Sequence, residues 1–265
     1  MAQGDVGGLL VRLVEGEARC LETFKDDARS LVRLLELEGR RWVVKRYRGS
    51  PWKTATHHLV GRTPAWREWR NAQRLRRCGV RVIDLLALIH DDHFGRWSQS
   101  LVTPYVAAPN LQQWIHHRPG CPGSGPRRAV AAAVGAQLGV IGAAGYVNRD
   151  HKVSNLLVDR ACAQGAAGPL ILDPARLKRR TTDRVVFKTL ALLAWTARRA
   201  GAVNLREQFT CLRAVLAADP RLARGRPQRL RHAASEIQIF LDDFQRRAEA
   251  RRPAPPVAEP GPLTR

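Results

Sequence analysis

Residues 146–155 read Tyr-Val-Asn-Arg-Asp-His-Lys-Val-Ser-Asn, and no other stretch restricts the chain as tightly. An aspartate, Asp150, precedes an asparagine, Asn155, by five positions. One short loop can then present a carboxylate that accepts the proton of an attacking hydroxyl and an amide oxygen that ligates a metal on nucleotide phosphates. Lys152 lies between them, where a cation can neutralise a transferring phosphoryl group. The apolar run from Leu156 that follows predicts a short strand. On its own the pair fits a surface turn as well, so its weight depends on what accompanies it.

Its companions come in a fixed order. Three strands are predicted over 18–24, 31–37 and 41–47, with Glu38-Gly39 as the hairpin turn between the second and third. Trp42-Val43-Val44 is rich in strand formers and ends in Lys45. A helix is predicted over Pro64–Cys78, with Pro64 suited to its first turn and Glu68 within its first two turns. Lys45 and Glu68 are 23 residues apart, a spacing that allows a strand lysine to pair with a helix glutamate. Two more strands, 85–90 and 98–106, flank a turn at 91–95. The second leads into Thr103-Pro104-Tyr105-Val106, read as a connector where the Pro104 carbonyl and the Val106 N–H can address an adenine. A helix from Asn110 to His117 follows, then a Pro/Gly loop. The Ala- and Gly-rich segment 129–147 reads as a buried helix, because its small residues insert weakly into lipid. Beyond an irregular insertion at 160–168, Leu170-Ile171-Leu172 reads as a strand ending in Asp173, 18 residues past Asn155. From Asp183 the pattern is helical, over 185–200, 205–216 and 230–247.

The order strand-Lys45, helix-Glu68, connector, Asp150–Lys152–Asn155, strand-Asp173 resembles the protein-kinase-like superfamily over roughly 17–200. Within it the chain is similar to the lipopolysaccharide kinase (Kdo/WaaP) family. The carrying segments are Trp42-Val43-Val44-Lys45-Arg46-Tyr47, Ala65-Trp66-Arg67-Glu68-Trp69 with Leu75 ahead of Gly79-Val80, and Leu172-Asp173 followed by Arg176. The resemblance implies an α+β, two-lobed protein-kinase-like fold, with an antiparallel-sheet N-lobe carrying one helix and a mostly helical C-lobe. It implies an ATP- and Mg²⁺-dependent phosphotransferase acting on a sugar hydroxyl of a lipopolysaccharide-core-like glycolipid. It assigns Lys45 and Glu68 to phosphate anchoring, Asp150 to the base, and Asn155 and Asp173 to the metal. There are departures. The first turn, Lys25–Ser30, has no glycine, Asn148 stands where a histidine often precedes Arg-Asp, and Pro174-Ala175 follow Asp173 in place of Phe-Gly. These leave open a kinase-shaped module that binds nucleotide without turnover. An enzyme of the protein Ser/Thr kinase kind is a further alternative, although no A-P-E segment follows Asp173.

Domain organisation follows from these readings: an N-lobe over 1–106, a C-lobe over 107–252 and a disordered Pro-rich tail over 253–265. The chain carries 45 Lys+Arg against 23 Asp+Glu, a formal net charge of +22. From Arg176 to Arg252 there are 19 basic and 7 acidic residues. Such a surface attracts polyanions; a plain preference for arginine is the alternative source of much of the excess. No aromatic-strand or zinc signature of a nucleic-acid reader is present, so the expected partners are a glycolipid or small sugar acceptor and an anionic membrane surface. The five cysteines are scattered and odd in number, as in a reducing compartment. Met1–Gly8 lacks the basic and apolar regions of a signal peptide. The expected location is therefore cytoplasmic, peripheral to an inner membrane.

Overall fold

The computed structural model describes residues 6–48, 63–93, 96–117, 124–180, 182–201, 203–223 and 226–250. The proline-rich tail, His57-His58 and most of the 118–125 loop lie outside the described residues.

The sheet is built from β1 (Arg19–Asp26), β2 (Ser30–Leu37), β3 (Arg40–Tyr47), β4 (Ala87–His93) and β5 (Arg96–Pro104). It is antiparallel, in the order β1-β2-β3-β5-β4. β2 and β3 are joined by a two-residue turn in which Glu38 and Gly39 both have positive φ, 54° and 72°. That backbone matches the twist of a hairpin, and glycine supplies half of it without steric cost. Side chains alternate along β3. Trp42 and Val44 face a core with Leu35, Leu37, Ala87 and Val102; Lys45 and Tyr47, each an odd number of steps from Val44, share the opposite face. Helix α1 (Val6–Glu15), which the sequence reading did not place, covers the Trp42 face with Leu9, Leu10 and Leu13.

Helix α2 (Pro64–Arg77) begins as predicted. Thr63 caps it, accepting the N–H of Trp66 at 3.3 Å, and Pro64 occupies the first turn, where an N–H would be unused. Its buried stripe is Ala65, Glu68, Ala72 and Leu75, with Asn71 alongside. An acid in an apolar stripe is the anomaly of this helix, and its partner defines the site below. After the helix, Ile83 N–H donates to the Ile171 carbonyl at 3.0 Å and Ile171 N–H to the Arg81 carbonyl at 3.1 Å. The end of α2 is thus tied to the strand that leads to Asp173.

The larger lobe contains α3 (Leu111–His117), α4 (Gly125–Ala143), α5 (Arg160–Ala163), α6 (Asp183–Ala200), α7 (Leu205–Ala218), α8 (Pro220–Ala223) and α9 (Arg226–Glu249). Two small ladders sit on it: β6 (Tyr146–Asn148) with β9 (Leu177–Arg179), and β7 (Leu156–Leu157) with β8 (Leu170–Ile171). The buried helix expected over 129–147 is α4, displaced toward the N-terminus. It packs backbone to backbone on α7, because a Cβ on Gly135 would lie 2.2 Å from the Cys211 carbonyl oxygen. Among the described residues no helix is long and apolar enough to cross a membrane. The insertion expected to be irregular opens with α5, capped by Asp159 accepting the Cys162 N–H at 3.0 Å. β4 runs on to His93, through Asp91 and Asp92, which the sequence assigned to a turn.

Candidate active site

Lys45 projects from the face of β3 opposite Trp42 and Val44, and meets Glu68 of α2. Its Nζ lies 2.7 Å from Glu68 Oε2 and 3.1 Å from Asp173 Oδ2. One ammonium therefore joins the sheet, the helix and the strand end of the other lobe. The Tyr47 hydroxyl donates a second hydrogen bond to the same Glu68 oxygen. Tyr47 is two residues from Lys45 on one strand, hence on the same face; that spacing was readable in the sequence and was missed.

Electrostatics favour the charged forms of Lys45 and Asp173, but not that of Glu68. Burial pulls the pKa of Lys45 down, but the carboxylates of Glu68 and Asp173 outweigh it and hold the ammonium above its ordinary value. Burial pushes Asp173 up, yet Lys45, the Ala175 N–H and Lys152 together leave it below the usual carboxylate value. Burial raises Glu68, and Lys45 and the Tyr47 hydroxyl pull against that shift. The Tyr47 phenol is raised by burial and by the adjacent Glu68.

The second cluster is the 146–155 loop. Asn148 Oδ1 accepts the Asp150 N–H at 3.2 Å, an Asx-type turn that accounts locally for asparagine at this place. Asn155 Nδ2 donates to the Asp150 carbonyl at 3.0 Å and to Asp150 Oδ2 at 3.2 Å. Lys152 Nζ lies 3.4 Å from Asp150 Oδ2. The two clusters are linked, since Leu172 N–H donates to the Asn155 carbonyl at 2.9 Å. Asp173 is anchored by the Ala175 N–H on Oδ1 at 3.1 Å. Lys45, Glu68, Asp150, Lys152, Asn155 and Asp173 are thus brought together. Pro104 ends β5 opposite Trp42, and Val106, partly buried, packs on the large-lobe core.

A divalent cation of the Mg²⁺ type takes hard oxygen donors and keeps several waters. Both Asn155 Nδ2 hydrogens are directed at Asp150, which leaves Oδ1 as the donor; with the Asp173 carboxylate this is a chemically suitable pair. Among the described residues there is no cluster of three or more His, Cys, Asp or Glu that could hold a metal.

The glycine-free first turn has its own chemistry. Asp27 Oδ1 accepts the N–H groups of Arg29 and Ser30, both at 2.8 Å, and Lys25 lies 2.9 Å from Oδ2. Lys25 and these amides hold the Asp27 carboxyl well below the usual range. Two backbone donors that a glycine-rich loop would offer to phosphate are used here by a side chain.

His151, beside Asp150, was not singled out from the sequence. It is fully buried, and neither ring nitrogen has a hydrogen-bond partner. Asn71, also missed, is buried, and its Nδ2 donates to the carbonyls of Pro174 at 3.0 Å and Ala175 at 3.4 Å. An apolar cavity of about 570 Å³ lies apart from these groups, between α3, α4, α6, α7 and α9.

A five-stranded antiparallel sheet with an inner Lys–Glu pair, set against a helical lobe that supplies a carboxylate to the same lysine, defines a two-lobed kinase fold. The comparisons narrow the class. The sequence matches the lipopolysaccharide kinase (Kdo/WaaP) family over residues 14–210, and the chain belongs to that family. It is a kinase, a phosphotransferase with an alcohol group as acceptor. Among solved structures, WaaP in complex with acyl carrier protein is similar in fold, with a TM-score of 0.61 and 20% identity, covering 87% of this chain and 92% of that one. No curated protein matches.

Proposed function

We propose that the chain transfers the γ-phosphoryl group of ATP to a sugar hydroxyl of a lipopolysaccharide-core-like glycolipid. The observation that carries this reading is the single ammonium of Lys45 within 2.7 Å of Glu68 and 3.1 Å of Asp173. In it, residues 1–106 and 107–252 close on the nucleotide from two sides, with the Pro104 carbonyl and the Val106 N–H against the adenine. Lys45, aligned by Glu68 and Tyr47, holds the phosphates. Asn155 and Asp173 hold Mg²⁺, which when bound neutralises charge on the phosphate oxygens. Asp150, oriented by the Asn155 amide, takes the proton of the acceptor hydroxyl. The sugar oxygen then bonds to the γ-phosphorus as the bond to the β–γ bridging oxygen breaks, and ADP departs with that electron pair. Lys152, 3.4 Å from Asp150, offsets charge on the phosphoryl group in flight.

The net charge of +22 supports a peripheral position on an anionic membrane face. It also gives any partner protein of net negative charge an electrostatic reason to dock; WaaP is recorded in complex with acyl carrier protein. Binding without turnover is a second reading, favoured by the Asp27-sealed turn. One assay decides: phosphotransfer from ATP with Mg²⁺ to a panel of core glycolipids, wild type against Asp150→Ala. The expected loss is about 10²–10⁴-fold. Equal rates in both would overturn the proposal, and no turnover in either would favour the second reading.

A further inference from the structure

A second cavity, about 350 Å³, opens between α2 and the β6–β9 ladder. Its walls carry Arg67, Arg70 and Arg74 from α2, Lys178 and Arg179 from β9, with Asn71 beside them, and no carboxylate lines it. The helix residues are spaced i, i+3 and i+7, so they form one face. Several arginines elsewhere are matched with acids: Arg48 with Asp26, Arg81 with Asp159, Arg127 with Glu207, Arg180 with Asp219. Among the described residues, Arg70, Arg74, Lys178 and Arg179 have no carboxylate partner. All five cations are exposed, so water and salt screen their mutual repulsion, and an anion seated among them would gain from all of them at once. Guanidinium forks from two directions suit the oxygens of a phosphate.

The cavity is separate from the candidate active site: Lys45, Asp150, Asn155 and Asp173 are not in its lining. It is nevertheless mechanically connected to that site. Arg74 donates to Asn71 Oδ1 at 3.3 Å, and Asn71 holds the carbonyls of Pro174 and Ala175, directly after Asp173. Glu68 is on the same helix, about a third of a turn round from the basic face.

We infer that this cavity binds a phosphate group other than the nucleotide's, and that its occupancy draws α2 onto β9 and so keeps Glu68 on Lys45. The ligand is either free inorganic phosphate or pyrophosphate, or a phosphate already carried by the glycolipid acceptor. The binding half stands without turnover, whereas the coupling half rests on the kinase reading.

The test begins with calorimetric titration of inorganic pyrophosphate into the full chain without nucleotide. Four proteins are compared with wild type: Lys45→Ala, Arg70→Ala/Arg74→Ala, Lys178→Ala/Arg179→Ala, and the exposed pair Arg246→Ala/Arg247→Ala on α9. A site should persist in Lys45→Ala, weaken about tenfold or more in each cavity variant, and be unchanged in the α9 variant. Loss in Lys45→Ala, no loss in the cavity variants, or equal loss in all three arginine and lysine pairs would overturn the site. Phosphotransfer at saturating ATP then separates the sources. If the acceptor's phosphate is the ligand, wild type has a lower KM for the intact glycolipid than for a phosphatase-treated one, and the cavity variants erase that difference. If free phosphate is the ligand, added pyrophosphate raises kcat in wild type with either acceptor and fails to do so in the cavity variants. Neither effect, with turnover present, would overturn the coupling.

Discussion

Gly135→Ala is the sharpest probe of the scaffold behind the 146–155 loop. In an exposed helix this change stabilises by about 1 kcal/mol, because alanine has less backbone freedom to lose. Here the added Cβ would sit 2.2 Å from the Cys211 carbonyl oxygen and 2.9 Å from its carbon. Ordinary contact begins near 3.4 Å, so α4 and α7 must separate by about 1 Å, and the obstacle is backbone that cannot swing aside. Overpacking of this kind costs about 1–3 kcal/mol, with a rigid neighbour placing it toward the upper end. Less the propensity gain, the expected net loss is about 1–2 kcal/mol. Gly139→Ala meets Val215 O and Ala218 Cβ, both at 2.7 Å, and should lose about 1 kcal/mol. The double variant should lose less than the sum, since helices parted at one position are already parted at the next. Gly125→Ala has nothing within 4 Å but sits at the first position of α4, ahead of Pro126, where interior helix propensity does not apply, and should stay within about 0.5 kcal/mol of wild type. Urea unfolding followed by circular dichroism reads these as shifts in midpoint at constant slope. A Gly135→Ala protein more stable than wild type would refute the backbone contact.

Two further outcomes follow from the site. Tyr47→Phe removes a hydrogen-bond donor from the buried Glu68 carboxylate and should cost about 1.5–3 kcal/mol in the same unfolding assay; a change within about 0.5 kcal/mol would show that the hydroxyl does not hold Glu68. Burial lowers the pKa of His151 from 6.5 to about 4, so the unfolded chain binds a proton that the folded chain refuses. Stability should therefore fall as pH drops from about 6.5 to 4, by up to about 3 kcal/mol from this residue. The difference between the pH–stability curves of wild type and His151→Gln isolates it, and parallel curves would refute the assignment.

Much of the small lobe was legible because its signals are local. Trp42-Val43-Val44, the Glu38-Gly39 turn and the Thr63-Pro64 start each specify their geometry within a few residues, and the strands agree with expectation to within a few positions. Helix α1 was not legible: Gly7 and Gly8 weaken its pattern, and Leu9, Leu10 and Leu13 gain a partner only when the sheet is folded. Lys45, Glu68, Asp150, Asn155 and Asp173 were singled out by order and spacing, and the structure brings them together. Asn71 and His151 were not, because a buried amide on a helix and a buried imidazole in a loop resemble surface residues until their neighbours are known. The basic cavity escaped for a related reason. Arg67, Arg70 and Arg74 read as the solvated face of a helix, and only the β6–β9 ladder turns that face into one wall of a concavity.

The first turn shows how a missing motif can be compatible with the same chemistry. A glycine-rich loop helps a nucleotide by offering backbone N–H groups at close approach. Here Asp27 takes the amides of Arg29 and Ser30, and Lys25 bridges Asp27 to the Ser30 hydroxyl at 3.0 Å. The turn is held by its own side chains, so it has fewer free donors for a phosphate and less freedom to fold over one. On the proposed roles, anchoring of the triphosphate then falls more heavily on Lys45, whose position is fixed by Glu68 and Tyr47. That shift of burden gives a physical reason for a buried acid in the apolar stripe of α2. The cost of desolvating Glu68 is offset by a lysine held in place before any ligand arrives, which reduces the ordering that nucleotide binding would otherwise require.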